Sequence, residues 1–303
     1  MTGDAARRHA RERIPRGCGV SRAGGDGHTI GAMRALEAID RWDARHAAAG
    51  VVGSDGVVAR RGDQGHRFRL ASVTKPATAL AALVALEEGV IDLDEPAGPP
   101  GATVRHLLAH ASGLPLNEGA PLAPPGRRRI YSNAGFEALA SFVAERAEMP
   151  FEDYLRGAVL EPLGTQATLE GSPAWGLVGS LADVLALAAE LLAPRVVATE
   201  TLAEATEVAF PDLAGVLPGF GRFEPNDWGL GFELRDGKQP HWTGEHNSPR
   251  TFGHFGAAGT FLWVDPEAGV ACVCLTDREF GDWAKEAWPA LSGAVLVEAR
   301  AAK

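Results

Sequence analysis

The 303-residue sequence has few cysteines, no long apolar run and no excess of positive charge, and each shortage excludes a class of protein. Its three cysteines provide no disulfide framework, which suits a reducing compartment. No stretch of about 18 apolar residues occurs, so the sequence predicts no membrane span. The formal net charge of −10 argues against nucleic acid as the main partner, because phosphate binding needs a basic face.

The first 32 residues differ from the rest of the chain. They hold six arginines and lack the apolar core of about 7–15 residues that a secretory signal needs. Their glycine and arginine content buries too little apolar surface to order a fold, so we predict a disordered tail over residues 1–32. Without a secretory signal, the expected location is cytoplasmic.

Local patterns after the tail predict first a helix and then strands. Ala35, Ile39, Trp42 and His46 share one helical stripe, and Gly50 is a natural stop, which predicts a helix from Met33. Two β-branched runs around an Asp-Gly pair at 55–56 then predict a hairpin. An extended segment follows and leads into a serine at position 72.

The middle of the chain is predicted to be helical and its end to return to strands. Helical patterns run from about 72 to 88 and then over 103–115, 132–149, 151–164 and 180–193. Strand patterns follow at 227–237 and on both sides of a turn at 266–269, before a closing helix. Strands, helices and strands in this order predict an α+β fold, an antiparallel sheet flanked by N- and C-terminal helices with a mainly helical insertion. We assign 33–71 and 225–303 to a discontinuous sheet domain and 72–224 to the helical domain.

Cys272 and Cys274 lie two residues apart in one predicted strand, so both side chains face the same side. The pattern favours two buried, small apolar residues, with a metal pair or a disulfide as alternatives.

The stretch "LASVTK" at 70–75 places a lysine three residues after a serine, at the start of an apolar helix. Three positions are close to one helical turn, so the amine of Lys75 can reach the hydroxyl of Ser72. A serine hydroxyl needs a nearby base and a site for the oxyanion before it acts as a nucleophile. The pair is therefore either a solvated helix start or a nucleophile with its base.

Further motifs follow the serine–lysine pair in a fixed order. "TVRHLLAHASGL" follows at 103–114, "YSN" at 131–133, "EPLG" at 161–164 and "HFGAAGTFLWVDPE" at 254–267. In this order they resemble the serine hydrolase superfamily of class C β-lactamases, D-alanyl-D-alanine carboxypeptidases and β-lactamase-like esterases. The resemblance covers about residues 33–290 and implies a β-lactamase/transpeptidase-like fold.

The resemblance assigns a role to each matching residue. It implies that Ser72 is the acylated nucleophile, that Lys75 deprotonates it, and that Tyr131, with a phenol made more acidic by nearby cations, transfers protons to and from the leaving group. Asn133 holds Lys75 and the substrate, while His254 and Gly256 belong to the substrate-binding third motif. Backbone N–H groups of Ser72 and Ala257 form the oxyanion hole. The implied chemistry uses no cofactor and no metal.

The third motif departs from the β-lactamase pattern at two positions. His254 stands where those enzymes have lysine, and Phe255 where threonine is frequent, so a substrate carboxylate is held less well. The departures favour a hydrolase of small esters or amides, with β-lactamase and D-alanyl-D-alanine carboxypeptidase as alternatives. We also expect the preference for uncharged esters to narrow at lower pH, where His254 gains charge. A catalytically silent ligand-binding relative is the alternative from another class.

Other polar and aromatic residues receive weaker assignments. His110 is expected to be a structural histidine at a helix end. His241 and His246 flank Glu245 but lack a third convincing ligand, so no metal site is predicted there. Three aromatic residues either line the pocket or pack in the core: Trp228, Phe232 and Trp242.

Overall fold

Strands from both ends of the chain form one antiparallel sheet in the computed structural model of the protein, which describes residues 33–301. The strands are β1 Ala47–Gly53, β2 Gly56–Gly62, β3 Phe68–Arg69, β4 Thr168–Leu169, β5 Leu177–Gly179, β6 Gly215–Leu217, β7 Gly221–Phe223, β8 Glu233–Leu234, β9 Phe252–Gly256, β10 Thr260–Asp265 and β11 Val270–Thr276. The main sheet has the order β2-β1-β11-β10-β9-β8, and all its pairs are antiparallel. The predicted tail over residues 1–32 lies outside the described residues.

Both predicted hairpins are confirmed. β1 and β2 pair around a turn in which Gly56 has a φ of +113°, and β10 and β11 pair around a turn in which Gly269 has a φ of +65°. Glycine takes these left-handed conformations without the steric cost that a Cβ imposes. The two hairpins supply four of the six strands of the main sheet.

The prediction of a helix from Met33 to Gly50 is wrong in its second half. A 3₁₀ helix covers only Arg34–Arg41, and the chain is already a strand at Ala47. Pairing of β1 with both β2 and β11 outweighs the local helical pattern. Gly50 is no helix stop: a Cβ there would lie 2.9 Å from the side chain of Leu185, so the glycine allows a helix to pack closely on the strand.

The helices cover both faces of the sheet. They are α1 Thr74–Glu87, α2 Val104–Leu108, α3 Asn133–Ala147, α4 Phe151–Leu155, α5 Leu181–Leu192, α6 Thr199–Ala205 and α7 Asp282–Ala301. α1 is the central helix, and its residues from Thr74 to Ala85 are all buried. None of the described helices is long and apolar enough to cross a bilayer. The α+β architecture is as predicted, whereas its division into two domains stays a prediction.

Alternate residues of β11 belong to different cores. Val273 and Leu275 pack in the cluster shared with α1, α3 and α5, while Cys272 and Cys274 pack in the cluster shared with α7. This alternation is the two-residue period of a strand with both faces covered. Both cysteines are free and buried, and burial raises the pKa of their thiols, so they act as small apolar residues.

Candidate active site

Ser72 lies at a sharp bend between β3 and α1. It is the middle residue of a 3₁₀ turn, Ala71–Val73, which runs directly into the helix, so it precedes the first α-helical turn rather than belonging to it. Ala71 has a φ of +47°, the left-handed region that non-glycine residues rarely adopt. The bend places the hydroxyl of Ser72 in a cavity beside the end of β9.

β9 packs directly against the backbone that precedes Ser72. The hydroxyl of Thr260 donates to the carbonyl of Leu70 at 2.8 Å, which ties the following strand to the same segment. A Cβ on Gly256 would lie 2.5 Å from that carbonyl oxygen. The glycine of the third motif is therefore required by the close approach of two backbones.

Lys75 is fully buried and its amine reaches three oxygen atoms. Nζ lies 3.3 Å from Oγ of Ser72, 2.8 Å from Oδ1 of Asn133 and 3.0 Å from the carbonyl oxygen of Ala174. Burial lowers the pKa of Lys75 well below its usual value, and the charge of Glu137 opposes this only in part. A neutral amine fits these contacts, since two N–H bonds can go to Asn133 and Ala174 while the lone pair faces the Ser72 hydroxyl.

Tyr131 contacts the same serine from the other side. Its hydroxyl donates to Oγ of Ser72 at 2.7 Å. Burial raises the pKa of the Tyr131 phenol, and the hydrogen bond with Ser72 lowers it only partly. The expectation of an acidified phenol is thus wrong for the free protein. Burial keeps the neighbouring Lys75 neutral, so no cation stabilises a phenolate, and burial of Tyr131 itself disfavours the phenolate.

The Tyr-Ser-Asn motif is shaped by the start of α3. Ser132 is the N-cap of that helix, and its side chain accepts a hydrogen bond from Gly135 N–H at 2.8 Å. Tyr131 immediately precedes the cap and Asn133 is the first helical residue, so the two side chains reach Ser72 and Lys75 respectively. His110, the expected structural histidine, accepts from Ser132 N–H at 3.1 Å.

His254 of the third motif is buried beside these groups as a neutral ring. Its Nδ1 lies 2.7 Å from the carbonyl oxygen of Phe255, which can only accept, so Nδ1 carries the proton. Burial is the main cause that lowers the pKa of His254, to about 3. The expectation that His254 gains charge as the pH falls toward mildly acidic values is therefore wrong.

The cavity at Ser72 is small and mainly apolar. Its volume is about 190 Å³, less than the ~300 Å³ at the lower end of drug-sized pockets. Apolar side chains form most of the wall, namely Leu217, Pro218, Trp228, Phe255 and Phe280. The sequence did not decide whether three aromatic residues line the pocket or pack in the core. Trp228 lines the cavity, whereas Phe232 and Trp242 pack in the cores.

The predicted oxyanion-hole residues line the same cavity. Ala257 directly follows Gly256, and Ser72 lies two residues after Leu70, so both come just after the close contact between these two backbones. The carbonyl of Ala257 accepts from Phe280 N–H at 2.9 Å, which fixes the peptide that follows β9. The role of their backbone N–H groups stays a prediction.

Two groups at the site, the Ala174 carbonyl and the Glu233 carboxylate, were not predicted from the sequence. Ala174 contributes only a backbone carbonyl, for which no side-chain motif exists. Glu233 lines the cavity, and its buried carboxylate accepts hydrogen bonds from Lys238, His241 and Trp242. The two histidines of "HWTGEH" were the only sequence feature that pointed to this wall, and the ring nitrogens of His241 are hydrogen-bonded to Thr243 and Glu233.

A family model described as Beta-lactamase matches residues 37–295 of the chain. The chain belongs to the beta-lactamase family. Members of this family are serine hydrolases. The contacts of Ser72 with Lys75 and Tyr131 bring together residues of the first and second sequence motifs.

This beta-lactamase family member is similar to three known proteins to different degrees. A crystal structure of a beta-lactamase from Mycobacterium bovis has 55% identity and a TM-score of 0.86, covering 88% of this chain and 99% of that chain. EstCE1, a hydrolase with promiscuous acyltransferase activity, has a TM-score of 0.70 over 86% of this chain and 96% of that chain; at 20% identity it shows the fold alone. Penicillin-binding protein 4* of Bacillus subtilis (strain 168) is 29% identical over 134 residues, which cover 33% of this chain and only 30% of that protein.

Proposed function

We propose that the protein is an esterase-type hydrolase that forms an acyl-enzyme on Ser72 from small, uncharged esters or amides. The observation that carries this proposal is the hydrogen-bonded group of Ser72, Lys75 and Tyr131 at the wall of a small apolar cavity. A buried neutral amine beside a serine hydroxyl is a base that needs no prior loss of a proton to solvent.

The acylation step follows from these contacts. Oγ of Ser72 bonds to the substrate carbonyl carbon while its proton passes to Nζ of Lys75. The carbonyl oxygen becomes an oxyanion, held by the N–H groups of Ser72 and Ala257. When the bond to the leaving group breaks, the departing oxygen or nitrogen takes the proton of the Tyr131 hydroxyl. Lys75 then returns a proton to Tyr131. In the second half of the reaction a water oxygen bonds to the acyl carbon while its proton passes to Lys75. Oγ of Ser72 leaves with the proton of Tyr131, which releases the acid.

The charge of the cavity supports an uncharged substrate. Among the described residues that line it there is no arginine or lysine, and the third-motif histidine is neutral. Phe255 presents a ring where a hydroxyl would donate to a carboxylate. A substrate carboxylate would lose its water here without gaining a cationic partner.

A β-lactamase is the second candidate. The observation in its favour is the 55% identity to a crystal structure described as a beta-lactamase from Mycobacterium bovis. The two candidates share the acyl-enzyme and differ in whether the pocket accepts the carboxylate that a cephalosporin carries.

A double variant separates the two candidates. We expect wild type to turn over nitrophenyl butyrate with a higher kcat/KM than a chromogenic cephalosporin, and His254→Lys with Phe255→Thr to shift the ratio toward the cephalosporin by about 5- to 150-fold. The physical reason is that the lysine and the threonine hydroxyl both donate to the carboxylate, whose negative charge favours the charged form of the new lysine against burial. Since burial keeps the pKa of His254 near 3, the wild-type ratio should stay flat across mildly acidic and neutral pH.

The matched control is His246→Lys, which adds the same charge at an exposed position. Its ratio should equal that of wild type. A wild type that prefers the cephalosporin would replace the esterase proposal by the β-lactamase one. An unchanged ratio in the double variant would place selectivity in another part of the pocket.

A further inference from the structure

The loop over residues 170–176, which joins β4 to β5, closes against Lys75 and has no counterpart among the sequence motifs. One face of α1 holds it through three side chains: Thr74 accepts from Leu177 N–H at 2.9 Å, Lys75 donates to Ala174 at 3.0 Å, and Thr78 donates to Pro173 at 2.6 Å. The loop is tight, because a Cβ on Gly176 would lie 2.6 Å from the backbone of Gly171. The position of the Ala174 carbonyl on Nζ is therefore determined by the loop as a whole.

A second anchor connects this loop to α3. The hydroxyl of Ser172 donates to Oε1 of Glu137 at 2.7 Å, and Oγ of the same serine accepts from Ala174 N–H at 3.1 Å. A continuous path thus leads from Glu137 through Ser172 and the peptide of Ala174 to the amine of Lys75.

Glu137 and Asn133 lie one turn apart on α3 and so share a face of that helix. Asn133 contacts Nζ of Lys75 directly, while Glu137 acts on it through the loop and through its charge. The two oxygens that accept from the amine, one from Asn133 and one from Ala174, are therefore both positioned by α3.

We propose that Glu137 and Ser172 are positioning residues for the reacting lysine: they hold the Ala174 carbonyl where it directs the lone pair of Nζ at the Ser72 hydroxyl. Neither residue touches the cavity at Ser72. The inference rests on the proposed function only in taking Lys75 as the base for Ser72.

The same arrangement tunes the strength of the base. Apart from Glu137, the titratable groups that face Lys75 among the described residues are Tyr131, His110 and His254, and burial favours the neutral form of each. Glu137 is the carboxylate whose charge raises the pKa of Lys75 against the effect of burial. Without that charge the amine would lose its proton at lower pH and would be a weaker base.

The direct test reads the ionisation of Lys75 by NMR. The sequence has only four lysines, so selective ¹³C labelling at Cε gives few signals, and Lys75 is assigned by its loss in Lys75→Arg. Titration between about pH 4 and 11 is compared in wild type, Glu137→Gln, Ser172→Ala and Ser172→Thr. The control is Glu145→Gln, which removes the same charge at an exposed position of α3.

We expect the midpoint of Lys75 to move to lower pH in Glu137→Gln and to stay unchanged in Glu145→Gln. The pH at which a fluorophosphonate labels Ser72 at half its maximal rate should move with it. Ser172→Ala should lower the maximal labelling rate about tenfold, a fraction of what a general base contributes, and Ser172→Thr should restore it.

An unmoved Lys75 midpoint in a folded Glu137→Gln variant would overturn the inference and leave Glu137 a stabilising residue only. If Glu137→Gln does not fold, equal labelling rates for Ser172→Ala and wild type would overturn it as well. Failure of the proposed function gives a different result: wild type would not be labelled at Ser72, while the lysine titration would still decide the role of Glu137.

Discussion

Replacing Ser72 with alanine is expected to lower the rate of ester hydrolysis by a factor of about 10³ or more. Among the described residues, its hydroxyl is the one group that accepts from Tyr131 and also faces the amine of Lys75, so none of its described neighbours replaces it as nucleophile. The variant should fold normally, because alanine fits the 3₁₀ turn and leaves the backbone contacts with β9 unchanged. The measurement is kcat/KM on nitrophenyl butyrate with thermal unfolding as a check.

Labelling with a fluorophosphonate supplies the control for this variant. Wild type and Ser141→Ala, which removes an exposed serine on α3, should be labelled on the peptide that contains Ser72. Ser72→Ala should not be labelled. Full activity in Ser72→Ala would refute the assignment of the nucleophile. An unlabelled, inactive wild type would favour the silent ligand-binding relative over the enzyme.

The residues around Ser72 were predictable because their spacing is local. Ser72 and Lys75 are separated by one turn, and Tyr131 and Asn133 lie on either side of the N-cap of α3. Short-range geometry of this kind is fixed by helix periodicity and capping. That the two pairs meet was implied by the resemblance of the ordered motifs to the serine hydrolase superfamily, because no local spacing connects them.

The protonation states of Tyr131 and His254 were not predictable, because they depend on burial. The sequence suggested cations near Tyr131 and a titrating His254, whereas Lys75, Tyr131 and His254 are all enclosed. Burial in a low-dielectric environment favours the neutral form of each group. The contact of Ala174 with Lys75 spans 99 positions through a backbone carbonyl, and no local pattern encodes it.

These neutral groups form one consistent hydrogen-bonding scheme. Tyr131 donates to Ser72, Ser72 faces the lone pair of Lys75, and Lys75 donates to Asn133 and Ala174. The resting site therefore carries little charge, and charge develops only as an oxyanion forms. Donors fixed in advance stabilise such charge more strongly in a buried site than in water, which agrees with a cavity for uncharged substrates.

Among the described residues that line the cavity, Glu233 is the one strongly ionic group, and its surroundings compensate for its burial. Its carboxylate accepts from Lys238, from Nε2 of His241 and from Nε1 of Trp242. Nδ1 of His241 accepts from Thr243 N–H at 3.1 Å, so the proton of this ring lies on the nitrogen that faces Glu233. Burial alone would raise the pKa of Glu233, but Lys238 and His241 outweigh it and hold the pKa at about 2.

Replacing Glu233 with glutamine is expected to lower the free energy of unfolding by about 3–5 kcal/mol, because the ammonium group of Lys238 stays buried without its counter-charge. Glu233→Gln combined with Lys238→Met should recover most of the loss, since it removes both charges together. Urea unfolding near neutral pH measures both variants against Glu207→Gln, which removes a carboxylate at an exposed position.

The folded pKa of Glu233 lies below its ordinary value of 4.5, so its contribution to stability is complete above that pH and is lost as the pH falls through about 2. The difference between wild type and Glu233→Gln should therefore shrink only in acid. If Glu233→Gln were as stable as Glu207→Gln near neutral pH, the ion pair would not stabilise this wall of the cavity.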